Sequence, residues 1–469
     1  MRRRIGRSYH PQAAPPVGIA AWLTIIALLA ASHSSGAQGG WIDAYRDTAS
    51  RLISESTGSR FAWERLALLS DTYGPRLSGS QNLADAIEWA VAEMRNDGLE
   101  QVRKEPVKVP HWVRGRESAE IVSPRPHAMV MLGLGNSVGT PPEGVEAEVL
   151  VVRSFEELDA ASARARGRIV VFNAPFTQYG QTVQYRSAGP SRAAALGAVA
   201  VLVRSIGPPG LRTPHTGALR YTADQPRIPA AAITVEDAER LQRMQDRGTT
   251  VRVRLRMEAK FLPDADSYNV IGEIRGRERP DEVVVVGGHF DSWDVGTGAT
   301  DDGGGCIVTW EALRLMRKLN LRPRRTVRVV LWTNEENGLR GGLAYRDRHR
   351  SQLANHLLML ESDSGVFRPT GFGFSGTDTA RATITQIASL LQSLGVDRIG
   401  PNGGGADIGP SVEAGSIPAM SLEVDGDYFL IHHTPADTVD KIDPADMARA
   451  SAAIAVIGYV VADMPERLR

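Results

Sequence analysis

The sequence predicts an α/β fold, a mixed sheet flanked by helices and interrupted by one insert, and two observations carry that prediction. Apolar, largely β-branched runs at Val283 to Val286, Thr326 to Trp332 and Leu357 to Leu360 recur with helix-length segments between them, as in a sheet covered on both faces. Between about Gly115 and Glu258 the texture changes to short strands, glycines and prolines, which divides the pattern in two. A chain of 469 residues has room for two or three such units.

At the amino terminus, Arg2, Arg3, Arg4 and Arg7 precede the apolar run Val17 to Ala31 and the small residues Ser35-Gly36-Ala37. That is the layout of a cleaved secretory signal peptide over residues 1–37; a retained anchor would need a span of about 20 apolar residues, more than this run supplies. No other segment reads as long and apolar enough to cross a bilayer. Cys306 is the single cysteine, so export comes without an intramolecular disulfide, which suits a bacterial periplasm or medium.

Trp41 to Leu69 has helical spacing, and Tyr73 to Ser80 (YGPRLSGS) is a turn-rich loop with no role beyond connection legible in it. Leu83, Ile87, Ala90, Val91 and Met94 then mark one face of a helix that ends at Asp97-Gly98. Residues 38–114 therefore belong with 259–469 in the main domain. In the insert, 115–258, strands are expected at Val149 to Val152, Arg168 to Phe172, Val199 to Arg204 and Val251 to Arg256. Helices are expected at Phe155 to Arg166, Ser191 to Leu196 and Val235 to Arg247. Gln178 to Tyr185 reads either as a lid or as a surface loop. From Ala265 onward the alternation is regular: strands Asn269 to Ile274, Val283 to Val286, Thr326 to Trp332, Leu357 to Leu360 and Ala419 to Leu422. Between and after them come helices Gly304 to Lys318, Leu339 to His349, Asp378 to Leu394 and Pro444 to Val461. The Val283 strand should stop at Gly287-Gly288.

Lys plus Arg and Asp plus Glu balance at 54 each, so no basic field argues for a nucleic-acid partner. No Walker loop, no GxSxG nucleophile elbow and no Rossmann strand-turn-helix fingerprint is found, so phosphate and serine chemistry have no support. What stands out instead is where acids and imidazoles fall. His289, Asp291 and the pair Asp301-Asp302 follow the four-valine strand; Glu335-Glu336 follow Thr326 to Trp332; Glu361 and Asp363 follow Leu357 to Leu360; and His432-His433 with Asp437 sit in a later loop. Carboxyl ends of strands are where open α/β sheets hold ligands. Taken singly, each residue has a bland reading, a satisfied histidine or a solvated acid pair. Together, imidazole nitrogens and carboxylate oxygens suit two zinc ions.

HFDSWDVGTGATDDGGG, LWTNEENG, ESDSGVF and HHTPADT resemble the four signatures of the co-catalytic di-zinc exopeptidases, which include bacterial leucine aminopeptidases and glutamate carboxypeptidases. SWDVG, QYRSAG and ITVEDAE point to the carboxypeptidase Q branch. The resemblance implies a zinc-exopeptidase-type mixed sheet with a protease-associated-like insert. It implies that His289, Asp301 and Asp363 hold one zinc and that Asp301, Glu336 and His433 hold the other, Asp301 bridging and joined to Asp302 by a cis peptide. His433 is preferred to His432 because the family pattern is His, then Thr or Ser, then an acid. It also implies that Glu335 is the general base, Asp291 fixes the tautomer of His289, and Asp437 does the same near His433. Short peptides are the implied substrates, a homodimer the implied assembly, with no nucleic acid and, once the leader is removed, no membrane.

Two other readings compete. A metal-free receptor would have no reason to keep the ligand set. A broad aminopeptidase would need an acid to meet a free amino terminus, whereas a carboxypeptidase or dipeptidase needs a cation for a free carboxylate. Gly403 to Asp407, Asp425 and Asp427 place acids near the expected pocket.

Overall fold

The computed structural model describes residues 40–468, so the signal-peptide reading of 1–37 falls outside it. Trp41 onward forms one compact unit. Three helices, Arg46–Thr57, Phe61–Tyr73 and Gln81–Asn96, precede the strands; the third is capped by the Ser80 hydroxyl, which accepts from the Leu83 amide, and Gly98 follows at φ +75°. The strands that follow are, in chain order, β1 (Glu100–Val113), β2 (Glu117–Ser123), β3 (His127–Met129), β4 (Met131–Gly133) and β5 (Val145–Val152). Then come β6 (Ile169–Phe172), β7 (Ala200–Arg204), β8 (Ala230–Ile233), β9 (Arg252–Met257), β10 (Lys260–Ile274) and β11 (Arg279–His289). The last are β12 (Arg325–Trp332), β13 (His356–Glu361), β14 (Arg368–Ser375), β15 (Arg398–Gly400) and β16 (Ala419–Asp425).

They form two eight-stranded sheets. The first has the order β1-β10-β12-β11-β13-β16-β14-β15, with β12, β11, β13 and β16 mutually parallel and the flanking pairs β10/β12 and β14/β16 antiparallel. The four valines of β11 alternate between its two apolar layers. Val284 and Val286 pack with the helices Gly304–Lys318 and Pro444–Asp463, and Val283 and Val285 with Tyr345, Leu353 and Ile408. The second sheet, order β3-β2-β9-β5-β6-β7-β8-β4, is built wholly from strands between Glu117 and Met257. The chain leaves the first sheet along β1 and returns along β10, paired antiparallel from Glu100↔Glu273 to Val113↔Lys260.

Several expectations change. β11 does not stop at the glycines: it continues to His289, with Gly287 opposite Val330 and Gly288 opposite Leu331. The glycines are needed for closeness, not termination. A Cβ on Gly287 would lie 2.1 Å from the Val330 carbonyl and 2.4 Å from the Trp332 ring. Gly287→Ala is therefore expected to lower stability by about 3 kcal/mol through overpacking, seen as an earlier urea midpoint with an unchanged slope; an unmoved midpoint would refute this. The strand expected from Asn269 begins at Lys260, because β1 extends the ladder. The helix expected from Asp378 to Leu394 runs to Ala388 and tightens to a 3-10 turn over Ser389–Leu394. Pro444–Asp463 is, contrary to the sequence reading, long and apolar enough to cross a membrane; from Met447 it is almost entirely buried between the sheet and its neighbouring helices.

Candidate metal centre

Parallel pairing sets the carboxyl ends of β11, β12, β13 and β16 along one edge of the first sheet, and the polar cluster assembles there. His289 is the last residue of β11. Its Nε2 lies 3.1 Å from Asp301 Oδ1 and 3.4 Å from Asp363 Oδ1. The other oxygen of Asp301, Oδ2, lies 3.2 Å from His433 Nε2, which is in turn 3.1 Å from Glu336 Oε2. Asp301 thus turns one oxygen to each histidine. The Asp301-Asp302 peptide is cis.

These separations match a metal site. Ligand atoms bound at 2.0–2.1 Å to a tetrahedral ion stand about 3.3 Å apart. Asp301 Oδ2 and Glu336 Oε1 are buried without a hydrogen-bond partner, an arrangement that protein groups alone leave costly. Electrostatics point the same way. Burial opposes the charge on Asp301, but the imidazoles of His289 and His433 beside it outweigh this and hold its carboxyl well below the usual range. Burial pushes Glu336 well up, with the Asp301 charge adding to the effect. Burial likewise pushes Glu335 up to about 8, with Asp363, Asp291 and Asp301 adding to the rise and His289 opposing it. Such crowding of buried carboxylates is what a dication relieves.

Around this cluster, carboxylates hold the backbone. Asp302 accepts from the His289 amide at 3.1 Å and the Gly305 amide at 3.1 Å, so both its oxygens are occupied although it lies near His289 and Asp363. Asp291 was expected to accept the ring N–H of His289. Instead its carbonyl oxygen does so, 2.8 Å from Nδ1. The side chain turns away to accept from the amides of Glu335 at 3.0 Å and Glu336 at 3.3 Å, an anion capping the strand-to-turn bend. Asp437 likewise does not reach His433: it accepts from the amides of Thr300 at 2.6 Å and Asp301 at 3.1 Å. The ring of His433 is set from the insert. Its Nδ1 faces the Thr216 carbonyl at 3.3 Å, and the Thr216 amide donates to the His433 carbonyl at 3.0 Å. His432 stacks on His433 with ring centroids 3.5 Å apart, but its Nε2 is 3.7 Å from Asp301.

A cavity of about 680 Å³ opens onto the cluster. Glu335, Glu336, Asp301, Asp363 and both histidines of the pair form its floor, and Tyr179, Val183, Arg186 and Arg220 of the insert, with Tyr428 and Phe429, form its walls. Gln178 to Tyr185, expected as lid or surface loop, folds into two short helices, and Tyr179 stacks on Phe429 at 5.1 Å. Arg186 is buried, donates to Thr216 O at 3.1 Å and to Tyr179 Oη at 2.7 Å, and leaves its Nε without a partner. Asp407, Asp425 and Asp427 are not on these walls: Asp407 is buried, and Asp425 pairs with Arg368. Thr216 and Arg186, in the insert, are not legible as site residues, whereas Tyr179 lies in the Gln178 to Tyr185 stretch offered as a lid. An arginine inside the small-residue run QYRSAG was the one available signal.

Comparison with known proteins fits this geometry. The Peptidase family M28 profile matches residues 269–457. Human carboxypeptidase Q is 50% identical over 408 residues, which cover 87% of this chain and 86% of that protein. The chain belongs to peptidase family M28. As an M28 member it is a metallopeptidase, and its mixed α/β architecture is that of the family's solved structures. The M28 peptidase precursor from Shewanella amazonensis superposes with a TM-score of 0.88 at 36% identity, covering 91% of this chain and 99% of that one. A zinc aminopeptidase from Bacillus subtilis, at 20% identity and TM-score 0.66 over 87% and 96% of the two chains, shares the fold.

Proposed function

We propose that this M28 peptidase is an exported di-zinc exopeptidase that hydrolyses unblocked dipeptides and short peptides, in the manner its likeness to carboxypeptidase Q suggests. The observation that carries the reading is the cavity itself, which joins Asp301, Glu336, Asp363 and His433, with His289 against Asp301 and Asp363 behind them, to two arginines from the insert. His289, Asp301 and Asp363 would hold one zinc, and Asp301, Glu336 and His433 the other. Bound there, the zincs supply Lewis acidity that makes water a nucleophile near neutral pH and polarises the substrate carbonyl. Glu335, on the cavity floor and held by its amide to Asp291, removes a proton from the attacking water and passes it to the leaving amine. Asp302, Asp437 and Asp291 keep the ligand-bearing backbone in place.

The walls favour recognition of a free carboxylate. Arg220 is exposed to the cavity with no ion-pair partner among the described residues, whereas the acids in the lining are those of the cluster itself. The insert, 115–258, acts in this reading as a protease-associated-type cover that limits the cleft to short chains. Kinetics on a free dipeptide, its carboxyl-amidated form, its amino-blocked form, an aminoacyl anilide and an unstructured decapeptide test it. The free dipeptide is expected to be the best substrate, with two zincs per chain. Arg220→Ala is expected to raise its KM about 5- to 10-fold through loss of a charge-assisted hydrogen bond. Preference for the anilide would instead establish a broad aminopeptidase, and efficient internal cleavage of the decapeptide would remove the gating role.

A further inference from the structure

The loop Tyr73 to Ser80, a bare connector by its sequence, holds a guanidinium with no solvent exposure at all: Arg76 is 0% exposed. Its fork is spent on carbonyl oxygens of two separate segments. Nε donates to Phe290 O at 2.9 Å, between His289 and Asp291; Nη1 donates to Thr297 O at 2.8 Å and Nη2 to Gly298 O at 2.9 Å, respectively four and three residues before Asp301. The remaining Nη1 contact, 2.9 Å to Gly74 O, ties the fork to its own loop. The backbone repeats the link, since the Arg76 amide donates to Ser292 Oγ at 3.0 Å and the Ser292 amide to Arg76 O at 3.2 Å. Ser78, two residues on, donates to Asp291 Oδ2 at 3.2 Å and accepts from Asn334 Nδ2 at 3.1 Å, which extends the same support toward Glu335 and Glu336.

No carboxylate lies within ion-pair distance of Arg76 among the described residues. A buried cation without a counter-ion is costly unless every donor is met. Here all three guanidinium nitrogens, four of the five N–H groups, are met only when the segment after β11 and the segment before Asp301 stand at one separation. Those two segments carry the residues that share the first proposed ion, His289 next to Phe290 and Asp301 three residues past Gly298.

We infer that Arg76 is a positioning residue for metal capture: its fork sets the spacing of the His289 and Asp301 segments, so zinc affinity depends on it. The inference rests on the metal-centre reading above. A lysine keeps the charge but, as a single point donor, cannot bridge Phe290 O and Thr297–Gly298 together. Arg325 is a matched control, equally buried, pairing with Glu282 and the Met464 carbonyl at the opposite end of β12.

The experiment measures zinc affinity by chelator competition, beside the unfolding midpoint of the metal-free protein, for wild type, Arg76→Lys and Arg325→Lys. Arg76→Lys is expected to weaken zinc binding about 10-fold or more, in the range that outer-shell partners of metal ligands command. Arg325→Lys is expected to lower the metal-free midpoint and leave zinc affinity unchanged. If Arg76→Lys does not fold, Ser292→Ala replaces it; this removes only the hydroxyl that accepts from the Arg76 amide, and about a 3-fold loss is expected. Unchanged zinc affinity in the folded variant, or an equal loss in Arg325→Lys, overturns the inference and leaves the metal centre standing. A wild-type chain that takes up no zinc overturns both.

Discussion

Glu335→Gln is expected to lower kcat by about 10²-fold or more while zinc content and KM stay close to wild type. The expectation follows from how the residue is held. Its amide donates to Asp291 Oδ1, so the backbone is placed by the strand end and not by the carboxyl group, and the side chain faces the cavity. A glutamine fills the same volume, yet its amide oxygen has no basicity with which to take a proton from water. Steady-state kinetics with metal analysis on the same preparation checks both halves. Turnover near wild type would move the base elsewhere, and loss of zinc would make Glu335 a ligand.

Asp301→Asn should be more damaging still, because one side chain serves both halves of the centre. Its Oδ1 and Oδ2 face His289 and His433 at 3.1 and 3.2 Å, and replacing either oxygen by NH₂ sets a donor against an imidazole where a shared cation belongs. Activity is expected to fall on the order of 10³-fold, with at least one zinc lost per chain. The rise in unfolding temperature that zinc confers should shrink with it, since a ligand at 1,000 times its Kd stabilises by about 4 kcal/mol. Calorimetry with and without zinc reads this directly. Two zincs retained at undiminished activity would show that Asp301 does not bridge.

What was legible beforehand follows from which signals are local. TVRVVLW and HLLML announce buried strands through their own side chains, and the acids after them announce a site because parallel strands end along one edge. β1, β14 and β15 were not legible. β14 reads RPTGFGFS, with two glycines, and the β1/β10 ribbon carries Pro106, Pro110 and Pro263, so propensity argues for loops where long-range pairing makes strands. Asp291 shows the same limit at the scale of one residue. Its nearness to His289 was readable, but whether its carboxylate or its carbonyl met the ring depended on the Glu335 and Glu336 amides, which β12 delivers from more than 40 positions away. The loop holding Arg76 carried no visible purpose because its partners are carbonyl oxygens, which have no signature in a sequence.

The reciprocal pair between Thr216 and His433 has a consequence for how the chain matures. Four of the five clustered residues, His289, Asp301, Glu336 and Asp363, stand at or after the ends of three adjacent parallel strands, and the Asp301 amide is held as well by Asp437. The fifth takes both its backbone and its ring direction from a residue 217 positions earlier in the chain. A contact of that separation forms only after the loop-closure entropy of everything between has been met. The proposed half-site containing His433 is therefore expected to be organised only once the connecting loop of the second sheet that carries Thr216 has docked.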